Sequence, residues 1–590
     1  MLRVSELIVP FSDRELTAAE LHPALATKLG ISPEGIRQVS VFKRSYDARK
    51  ADLRVVYIVD VELTHAAQEA EILARLPEHP HVRASPDMAW QMPAQAPADW
   101  KSHWPTALPR PVVVGFGPCG IFAALCLAQM GLCPIVLERG KTVRERTQDT
   151  WGLWRKNVLN PESNVQFGEG GAGTFSDGKL YSQIRDPRFL GRKVMQELVQ
   201  AGAPADILFE AHPHIGTFKL VKVVENLRRE IQSLGGEIRF QQKVCDFEVE
   251  NGAIRALQVQ DLRTGQLQAL PVTHVVLALG HSARDTFAAL WRRRVAMEAK
   301  PFSIGVRIEH PQSVIDRARW GRHAGHPRLG AADYKLVHHA SNGRTVYSFC
   351  MCPGGTVVAA TSEPGQVVTN GMSQYSRAER NANAALVVGI EPEDFPQQPA
   401  DWVAAFGVEP GEQFAREADA LRVAMPAQTH PLAGIVLQRA LERQAFAAGG
   451  ASYAAPAQRV GDFLQARPSV ALGSVLPSYK PAVTPGTLTG LLPDYVLEAL
   501  REALPAFGRK IRGYDMPDAV MTGVETRTSS PLRLLRNPDL QSPNTRGVYP
   551  AGEGAGYAGG ILSAGVDGIR VAEALAADFM ARSGSVAPDV

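Results

Sequence analysis

No apolar run in this 590-residue chain approaches the ~18 residues that a membrane-spanning helix needs, so a helical membrane protein is excluded. Cysteine is scarce. Six residues, at 119, 126, 133, 245, 350 and 352, do not make a disulfide framework, and a reducing cytoplasm is the expected compartment. Neither sign of charge dominates: 63 basic against 60 acidic side chains leaves +3, and nothing in that balance points to a polyanionic partner. The start, Met1 to Phe11, carries one Arg and a short apolar strand-like stretch before Asp13 and Glu15, which does not read as a signal peptide. No internal repeat, low-complexity tract or metal-ligand spacing stands out. Glycine is in excess, with 52 residues that cluster. The length suggests roughly three or four domains.

Residues 1–90 read as β-α-β-β-α-β, the order of a ferredoxin-like α+β domain, with strands over 2–11, 35–44, 53–63 and 81–84. A Pro/Trp linker over 91–109 follows, with Pro93, Pro97, Pro105 and Pro109, and its Trp100 and Trp104 are expected to dock on a neighbouring surface. From residue 110 the pattern is α/β. An antiparallel sheet is expected within 300–504, with strands at 302–309, 334–340, 345–350 and 356–362. The Asn342-Gly343 pair between the middle two is a hairpin signal. Segments 110–299 and 505–580 are read as the two parts of a Rossmann-like nucleotide-binding domain around this insert, and 581–590 as a flexible tail.

The motif that carries chemistry is Gly115-x-Gly117-x-x-Gly120. It sits between an apolar strand, Val112–Val114, and a stretch, Pro118 to Met130, that is apolar on all sides. The first glycine permits the tight turn, the second lets backbone approach a pyrophosphate, and the third lets helix and strand pack closely. Pro118 and Cys119 open a helix whose N-terminus faces the phosphates. A second strand ends at Glu138, 18 residues past Gly120, where a carboxylate meets ribose hydroxyls, with Arg139 beside it. An acid there favours FAD or NAD over NADP.

Two further segments bear on that choice. Asn164–Leu180, NVQFGEGGAGTFSDGKL, concentrates Gly168, Gly170, Gly171 and Gly173 around Ala172, with Thr174, Ser176 and Lys179 as donors to a large planar or phosphorylated ligand. Gly547–Ala576 has a short strand ending in Glu553, then Gly559 and Gly560, then a helix starting near Ile561. This resembles the two-glycine type of FAD-binding oxidoreductase. There the acid binds the ribityl chain and the helix N-terminus faces the flavin. With GEGGAGTFSDGKL, HIGT at 214–217, LGHSARD at 279–285, FCMCPGG at 349–355 and PAGEGAGYAGGI at 550–561, the chain resembles the bacterial family of uncharacterised FAD-dependent dehydrogenases over residues 35–578. The resemblance implies non-covalent FAD and oxidoreductase activity, without a substrate. One departure is Phe218, where members of that family often carry Asp. Val244 and Gly280 sit where the superfamily's backbone meets the adenine half, although both also suit a plain core strand.

His281, His214 and Arg527 are the candidate catalytic residues. His281 follows a strand end, His214 opens a family motif and is the better candidate than His212, and Arg527 lies beside Ser529 and Ser530 as a holder of an anion or of the flavin edge. Cys350 and Cys352 share a face of a regular strand, and read either as a redox pair or as plain buried thiols. The spacing and the lack of a neighbouring His or Lys favour the second reading. A basic stretch, Arg37, Lys43, Arg44, Arg49, Lys50 and Arg54, raises RNA binding as an alternative, yet residues 1–90 hold 11 basic and 13 acidic side chains and a solvated face is favoured. No second Gly-x-Gly-x-x-Gly follows residue 120, so NADH or NADPH is at most a transient visitor. The expected function is hydride transfer between flavin N5 and a small-molecule substrate. The alternatives are an RNA-associated flavoprotein and a non-catalytic flavin sensor; the oligomeric state is left open.

Overall fold

A computed structural model of the chain describes residues 1–49, 52–102, 104 and 108–583. Lys50, Pro105 and the tail from 584 onward fall outside the described residues. No helix among them is long and apolar enough to cross a membrane.

The N-terminal unit has the element order read from the sequence. Its four strands lie in the order 36–47, 54–63, 2–10, 82–84, antiparallel throughout, with the helices His22–Leu29 and Ala66–Arg75. Val55, Tyr57, Val59, Val61 and Leu63 alternate along Arg54–Leu63 and are all buried, the period of two that puts one strand face on the core. The edge strand Ile36–Asp47 docks on the rest of the chain: the Arg44 N–H donates to Phe209 O at 2.6 Å and the Ala211 N–H to Arg44 O at 2.9 Å. Arg37, Arg44 and Arg49 of the basic stretch each pair with a carboxylate, Glu62, Glu210 and Asp47. Trp100 and Trp104 pack on Phe579 of the C-terminal helix, ring centroids 6.2 and 5.7 Å away.

The central sheet is parallel, in the order Val548–Pro550, Val275–Leu277, Val112–Val114, Ile135–Glu138, Glu237–Phe240. Two helices cover one face, Pro118–Gln129 and Ile561–Ser583. They approach closely because Gly568 lacks a Cβ, which would stand 2.3 Å from Cys119 O. That contact explains a helix with no polar face.

The second large sheet has eight strands, antiparallel apart from one edge pair. Here the sequence reading needs three corrections. Strands expected at 345–350 and 356–362 are one long strand, Thr345–Ala359, followed by a short partner, Thr369–Ser373. The boundary at 504/505 falls inside the helix Asp494–Lys510, and Val520–Glu525, assigned to the nucleotide-binding return, pairs with Phe302–Pro311 in this sheet. An apolar strand before a glycine-rich segment looks the same in either sheet; only the partner strand tells them apart. Finally, Cys350 and Cys352 are not on a regular strand, because the register against Asn381–Ile390 slips between Phe349 and Cys352.

Candidate functional site

The C-terminal ends of the strands 112–114 and 135–138, the segments that follow strands 275–277 and 548–550, the loop 164–180 and the antiparallel sheet line a cavity of about 990 Å³, the upper end of the ~300–1,000 Å³ usual for ligand and cofactor sites. The glycines of the first turn divide by what they meet. Gly115 has φ +99° and a Cβ there would stand 2.5 Å from Ala278 O, while one at Gly120 would stand 1.9 Å from Gly115 O. Both are demanded by the protein's own packing. Gly117 is not: its Cβ would touch only Gly171 Cα, at an ordinary 3.6 Å, and at Gly280 and Gly559 a Cβ would meet nothing within 4 Å. All three line the cavity. Their missing side chains leave space that the chain does not itself fill. The helices starting at Pro118 and Ile561 both begin on this wall, so two positive dipole ends meet there.

Glu138 lines the cavity and is 5% exposed, and its carboxylate is engaged by backbone. Oε2 accepts the Phe116 N–H at 2.9 Å; Oε1 accepts those of Gly140 at 2.8 Å and Gly168 at 3.0 Å. The residue therefore ties the glycine turn to the glycine-rich loop, with lone-pair capacity to spare for a further donor. Arg139, also on the wall, is spent on Asp285 (2.9 and 3.0 Å) and Glu162 (2.7 Å).

Within the loop, Gly171, Ala172, Gly173, Ser176 and Lys179 line the cavity, as do Val244, Cys119, Gly560, Ile561 and Glu553. Gly170, Thr174 and Gly120 do not. A Cβ on Gly170 would stand 2.1 Å from Thr174 Oγ1, so that pair is packed against itself rather than facing a ligand. The correction is one of direction: composition identifies a glycine loop, but not which of its residues turn inward.

His281 and Glu553 meet across the cavity wall, Nε2 to Oε1, at 3.9 Å. Ser282 Oγ lies 3.2 Å from His281 Nδ1 and accepts from Arg527 Nη1 at 3.0 Å. Burial, then the Arg527 and Arg284 cations, pushes His281 down to about 3. Burial, then charge at Cys350, pushes Glu553 up to about 7.

Arg527 reaches the cavity wall, but its guanidinium is occupied. It binds Glu442 through two bonds (2.9 and 2.6 Å) and donates to Ser282 and Ser362. It positions His281 rather than holding an anion. His214 is off the wall, stacked on Tyr375 with Nε2 3.0 Å from the Tyr375 carbonyl; His212 takes the cavity position instead, paired with Asp333 at 2.9 Å and stacked on Tyr181.

Residues 301–528 match the model of a family described as FAD-dependent protein, C-terminal domain-like, and residues 1–62 match a domain of unknown function. An uncharacterized protein of Clostridium beijerinckii is 45% identical over 561 residues, covering 95% of this chain and 96% of its own. This chain belongs to the same family as that protein. Among solved structures, the L-amino acid deaminase from Proteus vulgaris is similar at 11% identity, covering 82% of this chain and 96% of its own, with a TM-score of 0.33. Fumarate reductase FrdA of E. coli is similar at 10% identity, covering 81% and 71%, with a TM-score of 0.32. Values this low decide nothing further.

The match over 301–528 coincides with the antiparallel-sheet unit, whose strands run from Phe302 to Glu525. Two positioning groups of this family member were not legible in its sequence. Arg146, fully buried, donates to Asn164 O (2.7 Å), Val165 O (2.6 Å) and Glu169 O (2.7 Å), fixing the loop's carbonyls from beneath. Glu442 joins Arg527 and Arg284 from the helix Ala433–Ala448. The one available signal was a lone charge on an otherwise core-facing helix side.

Proposed function

We propose that the protein is an FAD-dependent oxidoreductase acting on a small molecule, with FAD held non-covalently in the 990 Å³ cavity. The observation that carries this reading is the set of three glycines, Gly117, Gly280 and Gly559, that no protein contact requires, placed where two helices begin. Such a cradle suits an elongated ligand with a central pyrophosphate, and the FAD-dependent family match over 301–528 agrees with it. FAD, when bound, supplies hydride exchange at its N5.

The chain's own residues do the rest. Gly117 and Gly171 admit backbone to the phosphates, and the dipole of the helix at Pro118 favours their charge. Glu138 holds the glycine loop in place and offers a lone pair to a ribose hydroxyl. The helix at Ile561 favours negative charge at its N-terminus. His281 faces Glu553 through Nε2, and Glu553, half-protonated near neutral pH, takes up or releases a proton at its carboxyl. Dehydrogenase or reductase direction, a cytoplasmic setting, a ferredoxin-like N-terminal domain and the division of the chain into a nucleotide-binding part and a substrate-facing insert belong to the same reading. Nucleic acid has no part in it, since three of the basic stretch's arginines are engaged by carboxylates.

The test is direct. Purified protein carries, or can be reconstituted with, one flavin that denaturation releases as FAD. Anaerobic mixing with NADH, with NADPH and with a metabolite pool then identifies the donor by bleaching of the oxidised flavin. A colourless protein that cannot be reconstituted defeats the reading.

A further inference from the structure

Of the six cysteines, burial raises the thiols of Cys119, Cys126, Cys133 and Cys245 above their ordinary value. Cys350 differs in geometry. It sits where the strand Thr345–Ala359 carries one residue more than its partner between Phe349 and Cys352, and its φ of +44° is in the left-handed region that a side-chain-bearing residue enters only at a cost. The bulge places Cys350 on the cavity wall, with Cys352 fully buried behind it and the Cys352 thiol donating to Cys350 O at 3.4 Å.

The bulge also answers the objection that the spacing is wrong. On a regular strand, residues two apart have Cα atoms ~6.6–6.8 Å apart, at the limit of disulfide geometry. A bulged, left-handed residue shortens that span. Cations reach the pair from elsewhere in the fold. Arg307 donates to Cys350 O at 2.8 Å and Lys179 lies on the same cavity wall. The Cys352 side chain, with Lys179 and Arg307 working against burial, holds the Cys350 thiol below its ordinary value. At the outer cavity, Arg319 and Lys335 have no ion-pair partner among the described residues, so that rim favours acidic groups.

We propose that Cys350 and Cys352 are a redox-active pair, nucleophile and resolving thiol, and that the outer cavity takes small organic disulfides bearing acidic groups. The Cys350 thiolate attacks one sulfur of the disulfide; that S–S bond breaks, one thiolate leaves, and a mixed disulfide forms on Cys350. Cys352, deprotonated in turn, attacks the Cys350 sulfur and expels the second thiolate. The protein pair is oxidised by two electrons to a disulfide, and the substrate is reduced to two thiols, which take up the two protons. This oxidative half needs no flavin. A flavin in the adjacent site, under the reading above, supplies only the electrons that return the pair to dithiol.

The test uses the protein as purified, at pH 7, with the dianionic disulfide 5,5′-dithiobis(2-nitrobenzoate) and the dicationic disulfide cystamine, mapped by peptide mass. The expected result is release of two aryl thiolates and a Cys350–Cys352 peptide lighter by about 2 Da, formed about a hundredfold faster than any adduct on the partly exposed Cys245. With each probe's rate divided by its rate with free cysteine, which removes the difference in leaving group, cystamine should be slower by about tenfold or more. Cys352→Ala should stop at a single persistent Cys350 adduct, and Lys179→Met should slow the fast phase. A persistent Cys350 adduct in the unmodified protein overturns the proposal. So does a fast phase at another cysteine, or a Cys350 rate no higher than that of Cys245. Equal normalised rates for the two probes overturn the acidic class. Wild-type mapping alone decides the pairing if a variant fails to fold, and flavin content, read separately, shows whether the cofactor reading stands.

Discussion

Glu138 Oε1 accepts the backbone N–H of Gly168 at 3.0 Å, thirty residues further along the chain, so a carboxylate placed for a ribose is also the anchor of the loop facing it. Losing that side chain therefore touches more than ligand affinity. Glu138→Ala strands three N–H groups, those of Phe116, Gly140 and Gly168. We expect a stability loss of about 3 kcal/mol, given 1–3 kcal/mol for each buried donor left unsatisfied and partial rescue by water. Chemical denaturation of flavin-free protein checks it: an unchanged midpoint would show that the loop is held by Arg146 alone.

Gly117 and Gly120 make a paired prediction. Gly117→Ala meets only an ordinary 3.6 Å contact within the protein, so its stability should stay within about 0.5 kcal/mol while FAD binding falls. Gly120→Ala drives a Cβ to 1.9 Å from Gly115 O, and should destabilise the fold before any ligand is considered. Thermal melts with and without FAD separate them. Equal flavin affinity in Gly117→Ala and wild type would place the pyrophosphate elsewhere.

These cases show what was legible. The glycine turn, the buried helix and the Asn342-Gly343 hairpin are local, written in residues close enough in sequence to constrain one another's backbone. The occupants of Arg527 are not local: Glu442 lies 85 residues away and Ser282 lies 245 away. A motif such as ETRTSSP shows an arginine beside hydroxyls, but not whether its charge is already neutralised. The same holds for Cys350, whose cations come from residues 179 and 307, and for the choice of His212 over His214 at the cavity, which depends on how one loop turns.

Glu442 is the hinge of that buried network, fully enclosed and bound by both Arg284 and Arg527. Against the burial that would raise it, the two guanidinium groups hold its carboxyl down at about 2. Glu442→Gln leaves two buried cations short of charge and should cost about 3–5 kcal/mol. The loss should be accompanied by a His281 pKa that is lower still in NMR titration, since Glu442 is the charge that opposes Arg527 and Arg284 there. A variant as stable as wild type would mean that Glu363, which pairs with Arg284 at 3.1 Å, alone balances both arginines.

His281 and Glu553, 3.9 Å apart, should impose opposite pH slopes on the stability of the flavin-free protein. His281 is held down at about 3, so between pH 3 and its ordinary 6.5 the unfolded chain binds the extra proton, and stability rises with pH across that window. Glu553 is raised to about 7 from its ordinary 4.5, so between those values the native state binds the extra proton, and stability falls as pH rises. From pH 4.5 to 6.5 the two contributions cancel in the wild type. Removing either exposes the other. Glu553→Gln should become more stable from pH 4.5 to 6.5, and His281→Gln should become less stable from pH 4.5 to 7, each with a slope of up to about 1 kcal/mol per pH unit after solvent screening at the partly open Glu553. Urea midpoints at half-unit pH steps measure both slopes. Parallel curves for the two variants would show that the pair does not titrate as its burial requires, and would remove Glu553 as the proton carrier of the site.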